Sequence, residues 1–399
     1  MGNFRFLLTI FLFFLSTAVS LISGLSLAED SDGISPKEIL IGQSCALEGS
    51  ARALGTQMKN GALIYFNYIN SSGGIKGRNI KLISYDDGYE PELCKQNTLK
   101  LVEEDKVFLL FGYVGTPTSK NVLPIIEDKK IPFFAPFTGA EFLRNPLQSQ
   151  VFNIRASYFQ ETEKMVEGLV NDLDFKKIAV FYQNDSYGQS GLEGVRSALA
   201  KRELTISSKS TYERNTLNVE NAVNTIYSSR PEAVIMIGAY QPCAKFISMM
   251  RDSGSQAIFL NVSFVGGDSL GKILINKGVG VIISQVVPFP FYKKVPVINE
   301  YNKLKNEYMP NTEPNFVETE GFIAAKTLCK ILSETTEPLT RKKFIETAEK
   351  QRDIDLGSFY VSFTPNSHNG SSLVYFTQIG PGGFLTPIKN FTQLYEYRK

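Results

Sequence analysis

The chain has 399 residues, which at roughly 100–200 residues per domain suggests two domains. Its 43% hydrophobic and 21% charged residues exclude a disordered, collagenous or coiled-coil chain. Lys plus Arg (42) nearly balances Asp plus Glu (40), and the net charge of +2 points to neither nucleic acid nor a membrane surface as partner.

Residues 1–28 read as a secretory signal. Arg5 is the only charge, an apolar run covers 6–15, and Ser26-Leu27-Ala28 forms a small-x-small cleavage pattern before Glu29. The rival reading is an uncleaved membrane anchor. No cysteine follows the cleavage point, so no lipid anchor is expected. Beyond residue 28 no run reaches the roughly 18 apolar residues needed to span a bilayer. Cleavage near Ala28 predicts a periplasmic protein in an oxidising compartment, where disulfides form. Cys45, Cys94, Cys243 and Cys329 allow three complete pairings, and four unpaired, partly buried thiols stand as the alternative. None forms a C-x-x-C, and with a single histidine, His368, no His-rich metal site is possible. No metal or cofactor is expected.

The mature chain alternates strands and helices. A strand opens at 39–41, and Met58, Ala62, Tyr65, Phe66 and Ile69 fall at helical spacing before the stop at 70–74 (Asn-Ser-Ser-Gly-Gly). Strand 80–85, helix 92–104, strand 107–111, a helix from Pro117 and strand 131–135 follow. A second series runs through strand 178–182, helix 189–202, strand 205–211, helix 217–229 and strand 233–237. Helix 242–253 and strands 257–262 and 279–287 complete it. Residues 296–350 are helical, with Val297, Leu304, Phe322, Leu328 and Ile331 on apolar faces. The tail from Gly357 is strand-like.

Continuous apolar strands between helices predict parallel sheets covered on both faces. The fold class is therefore α/β, two doubly wound parallel-sheet lobes joined by a multi-crossing hinge. The chain crosses near 153–157 and again near 288–290. The first lobe takes 34–154 plus about 288–356, the second 155–287 plus about 357–399. Ligands in such sheets sit beyond the carboxyl ends of the strands. Two lobes facing each other make one cleft, suited to capture by hinge closure.

The motifs carry a resemblance. Asn70-x-x-Gly-Gly-Ile-Lys-Gly-Arg-x-Ile, Tyr85-Asp86-Asp87 and Pro91 are similar to the type I periplasmic binding proteins of ABC importers. More narrowly, the chain resembles the leucine/isoleucine/valine-binding branch with its amide-binding relatives. The likeness continues through residues 111–116, Pro136 to Glu141, Asp185-Ser186-Tyr187-Gly188, Gly238-Ala239-Tyr240 and Glu320-Gly321-Phe322, covering nearly all of 34–399. It implies a non-enzymatic monomer that binds a small molecule (an amino acid, amide or carboxylate) and delivers it to an inner-membrane permease. Ligand contacts are implied at Gly115-Thr116 and Phe137-Thr138-Gly139 in the first lobe. In the second they fall on Tyr187, Tyr240 and Ser263-Phe264, with Leu54 and Phe316 beside the ligand side chain.

The residue types fit that role. Thr116-Pro117 after an apolar strand reads as N-cap and first helical residue, and its free N–H groups with the Thr116 and Thr138 hydroxyls make a neutral cradle for a carboxylate. Gly139 permits close backbone approach. Tyr187 and Tyr240 offer rings and hydroxyls. One departure matters: amino-acid binders of this branch place an acid where Ser263 falls here. Serine cannot neutralise a buried ammonium. Glu48, Asp185 or Glu320 would have to substitute, or the ligand is an amide, a carboxylate or an aromatic acid walled by Phe137 and Phe264.

The residues leave two other functions open. A sensory module of the same fold would pass ligand occupancy to a separate receptor. An exported serine hydrolase is suggested by Gly267-Asp268-Ser269-Leu270-Gly271, but His368 has no acid three residues before it. The stretch 266–268 reads more simply as a turn and N-cap. Asp86-Asp87 reads as capping rather than a cation site, and Lys129-Lys130 and Arg341-Lys342-Lys343 as solvated helix ends.

Overall fold

The structure, a computed structural model, describes residues 32–394, so the expected signal at 1–28 lies outside the described residues. The first sheet grows from β1 (Glu38–Cys45), α1 (Arg52–Ser71), β2 (Asn79–Asp86), α2 (Pro91–Glu103), β3 (Leu109–Phe111), α3 (Thr116–Lys129), β4 (Phe133–Phe134) and β5 (Val151–Phe152). The second grows from α4 (Tyr158–Asn171), β6 (Ile178–Gln183), α5 (Ser186–Ala200), β7 (Ser208–Tyr212), α6 (Glu220–Ser228), β8 (Ala233–Ile237), α7 (Tyr240–Asp252), β9 (Ile258–Asn261), α8 (Gly267–Leu274) and β10 (Ile282–Gln285). Three helices follow: α9 (Pro296–Tyr308), α10 (Phe316–Glu334) and α11 (Arg341–Ala348). The chain ends in β11 (Ile354–Asp355), β12 (Tyr360–Val361), β13 (Tyr375–Ile379) and β14 (Leu385–Ile388).

The first sheet has the order β2-β1-β3-β4-β5 and is parallel throughout. The second has the order β14-β13-β10-β9-β8-β6-β7; β6 to β10 run parallel, while β13 and β14 join antiparallel. β6 and β8 are buried along their whole length, which is why they read as unbroken apolar runs.

The helices after residue 296 return to the first lobe, where α10 lies against α1. Their closeness is set by glycine: a Cβ at Gly61 would stand 1.9 Å from the Glu318 carbonyl oxygen, and one at Gly321 2.3 Å from that of Met58. The helix α4 is absent from the sequence reading, although Ser157 and Gln160 form a capping box at its start. The reading of Arg341 as a solvated helix end is also corrected. Its guanidinium is buried and donates to the carbonyls of Phe108 and Val107, both at 2.9 Å, tying α11 to the first sheet.

The last return to the second sheet comes later than residue 357. Phe363 packs edge-on against Phe152 at 5.2 Å, and the His368 ring stacks on Phe152 at 4.0 Å. Asn153 N–H donates to His368 O (2.9 Å) and Gly370 N–H to Asn153 O (2.7 Å), so the first and last crossings run side by side. Cys45, Cys94, Cys243 and Cys329 are all buried and unpaired with one another, the thiol alternative rather than a disulfide. Burial pushes all four thiols up, away from the reactive thiolate.

Candidate functional site

The carboxyl ends of both sheets face each other, and the loops leaving them meet. From the first lobe comes the turn after β3. Gly115 is the N-cap of α3 at φ 116°, where a Cβ would stand 2.3 Å from the Tyr89 ring. Thr116 is thus the first helical residue, one position later than the N-cap role read from the sequence. The shift frees its hydroxyl from capping: it bonds to the Thr138 hydroxyl at 2.6 Å and lies 3.5 Å from the Tyr158 hydroxyl. Phe137 and Thr138, which follow β4, are fully buried. Gly139 serves Tyr158, whose backbone N–H donates to the Gly139 carbonyl (2.7 Å) and whose ring leaves no room for a Cβ.

From the second lobe, Tyr187 opens α5, with Asp185 capping the helix by accepting from Tyr187 N–H at 2.9 Å. The loop after β9 carries Ser263 and Phe264. Phe264 reaches across, with ring centroids 4.6 Å from Tyr187, 5.5 Å from Phe137 and 6.0 Å from Tyr89. Tyr158 and Tyr187 lie 5.4 Å apart. Phe137, Thr116, Thr138, Tyr187, Ser263 and Phe264 therefore converge on one buried place between the lobes. Leu54 and Tyr240 meet nearby, Leu54 lying against Gly266 of the second lobe. Phe316 does not join them: it packs on Phe289 at 5.7 Å and lines a separate groove with Pro288 and Tyr375.

The centre holds a charged cluster that the sequence reading missed. Arg155, in the first crossing, is 1% exposed. It donates from Nη2 to Ser263 Oγ, lies with its Nε 3.5 Å from Glu320 Oε1, and places its guanidinium 4.5 Å above the Phe137 ring. Beneath Ser263 sits Glu161 of α4, which accepts from Ser263 N (2.8 Å), Ser263 Oγ (3.0 Å) and Ser284 Oγ. Serine stands where the acid was expected, and an acid from a different element stands one layer behind it. Burial raises the Glu320 carboxyl to about 7, against the opposing pull of Arg155. Arg144, buried beside them, donates to the carbonyls of Ala140 (2.8 Å) and Arg155 (3.1 Å). The signal for Arg155 was its place: a single charge in the apolar seam Phe152-Asn153-Ile154-Arg155-Ala156 that the sequence marks as a crossing.

Polar contacts bind the rim. Arg214 of the second lobe pairs with Glu90 of the first (2.8 Å) and with Asp185 (3.2 Å). Asn215 donates to Glu90 (2.7 Å) and to Gly88 O (3.1 Å). Gly266 caps α8, as the turn-and-N-cap reading of 266–268 expects, and Asp268 in its first turn accepts from Phe316 N–H of the first lobe at 3.2 Å. Burial raises the Asp268 carboxyl to about 6. The hydrolase reading fails on placement. His368 belongs to the first lobe, held by Val151 O (3.1 Å) and Glu349 Oε1 (3.2 Å), whereas Ser269 lies on α8 of the second. Asp86 and Asp87 accept backbone N–H groups of Leu47 (2.6 Å) and Tyr89 (2.9 Å), fixing turns.

Two α/β lobes meeting over one buried place fit the architecture of a solute-binding protein. The model of the periplasmic binding protein family matches residues 38–383, and the chain belongs to that family. It is similar to an amino acid binding protein of Pseudomonas aeruginosa, 26% identical over 256 residues, covering 64% of this chain and 67% of that one. It also resembles Leu/Ile/Val-binding protein homolog 3 of Brucella melitensis, 26% identical over 59% of this chain and 62% of the relative's length. Among solved structures, a possible leucine/isoleucine/valine-binding protein from Rhodopirellula baltica superposes with a TM-score of 0.84 at 33% identity, covering 92% of this chain and 99% of that one. The resemblance read from the motifs to the branched-chain branch is thereby borne out.

Proposed function

We propose that the chain is exported to the periplasm by residues 1–28, captures a small solute between its lobes, and presents the closed form to an inner-membrane permease of an ABC importer. One observation carries this reading. Hydroxyls from the first lobe (Thr116, Thr138) and aromatic rings from the second (Tyr187, Phe264) converge at one buried place. A ligand biases closure only through contacts that differ between open and closed forms, so a site with walls on both lobes is the arrangement that closure requires. The relatives' names place amino acids among the ligands of similar proteins. Ser263 in place of the expected acid separates this chain from amino-acid binders and favours an amide or a carboxylate.

The test does not need the ligand's identity. The protein, isolated from its own periplasm and then denatured, should release a small molecule detectable by mass spectrometry. Thr116→Ala and Tyr240→Ala, one from each lobe, should fold and release much less. Equal release from both variants overturns the site; no released solute, and no solute-dependent binding to the permease, overturns the function.

A further inference from the structure

We infer that Arg155 anchors a ligand carboxylate, and that the ligand is a monocarboxylate with an apolar or aromatic body and no ammonium group. The inference rests on the proposed capture of a solute between the lobes and deepens it by naming the head group.

Arg155 is buried to 1% exposure, yet among the described residues its Nε and Nη1 have no hydrogen-bond partner, and Glu320 Oε1 stands 3.5 Å from Nε. A guanidinium presents five N–H donors in a fixed fork, and leaving buried donors unmade is costly. The group that matches two adjacent donors of that fork is a carboxylate, bound in parallel through both oxygens. The place is prepared for one. Phe137, under the guanidinium at 4.5 Å, is followed by Thr138, whose hydroxyl bonds to that of Thr116 at 2.6 Å, with the Tyr158 hydroxyl 3.5 Å away. These hydroxyls can turn to donate to carboxylate oxygens. The rings of Phe264, Tyr187 and Tyr89 supply walls for an apolar body.

The same inventory leaves no place for an ammonium. Glu161 is occupied by Ser263 N–H (2.8 Å), the Ser263 hydroxyl (3.0 Å) and Ser284. Asp185 accepts from Tyr187 N–H (2.9 Å), Gln183 (2.7 Å) and Arg214 (3.2 Å). Glu320 stands 3.5 Å from Arg155 Nε, so an ammonium there would have to share one carboxylate with the guanidinium, and Glu48 is exposed. An α-ammonium beside a bound carboxylate would sit next to the Arg155 charge with no free acid to offset it.

The experiment uses matched sets that share a body and differ only in head group: phenylacetate, phenylacetamide and phenylalanine, and 4-methylpentanoate, 4-methylpentanamide and leucine. The full protein, refolded from denaturant, is titrated with each by calorimetry and followed by thermal shift. The acids should bind and raise the melting temperature, while the amides and amino acids should not. Arg155→Met should weaken acid binding on the order of 30-fold or more, and Arg155→Lys, which keeps the charge without the fork, should lose less. Amino acids or amides binding as well as the acids, or Arg155→Met binding the acid like the wild type, overturn the inference while leaving capture standing. Silence from all six compounds also overturns it, and solute release from the native protein then decides the capture reading separately. If Arg155→Met does not fold, the matched sets on the wild type decide alone.

Discussion

Glu320 is the sharpest place to test the electrostatics of the cleft. It is 4% exposed, and its nearest charge is Arg155 Nε at 3.5 Å. Burial raises its carboxyl from 4.5 to about 7. The folded state therefore holds a proton that the unfolded chain has already released between these values. The stabilisation from this group is fully present below pH 4.5 and is lost as pH rises to about 7, a loss of about 3 kcal/mol in total. Glu320→Gln keeps the shape and cannot ionise, so the variant should not suffer that loss. Urea unfolding of both proteins at pH 4.5, 5.5, 6.5 and 7.5 isolates it, because other titrating groups, including Asp87 and Asp268 (both raised to about 6), are common to both proteins. The variant should gain on the wild type by about 3 kcal/mol across the range, with little change above pH 7.5. A difference that stays flat from pH 4.5 to 7.5 refutes a Glu320 carboxyl whose burial outweighs the pull of Arg155.

Gly115→Ala places a methyl group 2.3 Å from the Tyr89 ring at a φ of 116°, and should destabilise by about 2 kcal/mol or more while lowering solute retention; unchanged urea unfolding would contradict the turn geometry. The four buried thiols predict that a reductant leaves the melting temperature unchanged and that thiol reagents label the protein only after unfolding, with labelling of the native form the contrary result. Arg214→Ala removes the Glu90 and Asp185 pairs at the rim, where the side chains are partly exposed, so the loss should be modest. Solute affinity should fall by about threefold, and the wild-type advantage should shrink in high salt.

Much of the fold was legible because its local signals agree with its packing. β6 and β8 read as buried parallel strands because both of their faces are covered, and α1 declared itself through the helical spacing of Met58, Ala62, Tyr65, Phe66 and Ile69. α4 escaped: its capping box, Ser157 with Gln160, was present, but the segment lay in what reads as a seam. The antiparallel addition of β13 and β14 depends on contacts with β10, some 90 residues earlier, which no local pattern encodes. At the candidate site, Thr116, Thr138, Tyr187, Ser263 and Phe264 all follow strands, and that position is what brought them forward from the sequence. Arg155 lies in the crossing and Tyr158 and Glu161 just after it, and the way the two lobes meet brings them to the same place. Phe316 was placed beside the ligand by likeness alone; its contact with Phe289 puts it elsewhere.

The central claim is that the solute is held between the two lobes and draws them together. Small-angle X-ray scattering during titration with the solute released from the native protein tests it most directly. The radius of gyration should fall saturably, with the same midpoint as the calorimetric binding curve. Tight binding at an unchanged radius of gyration, matching the unliganded protein throughout, would contradict it.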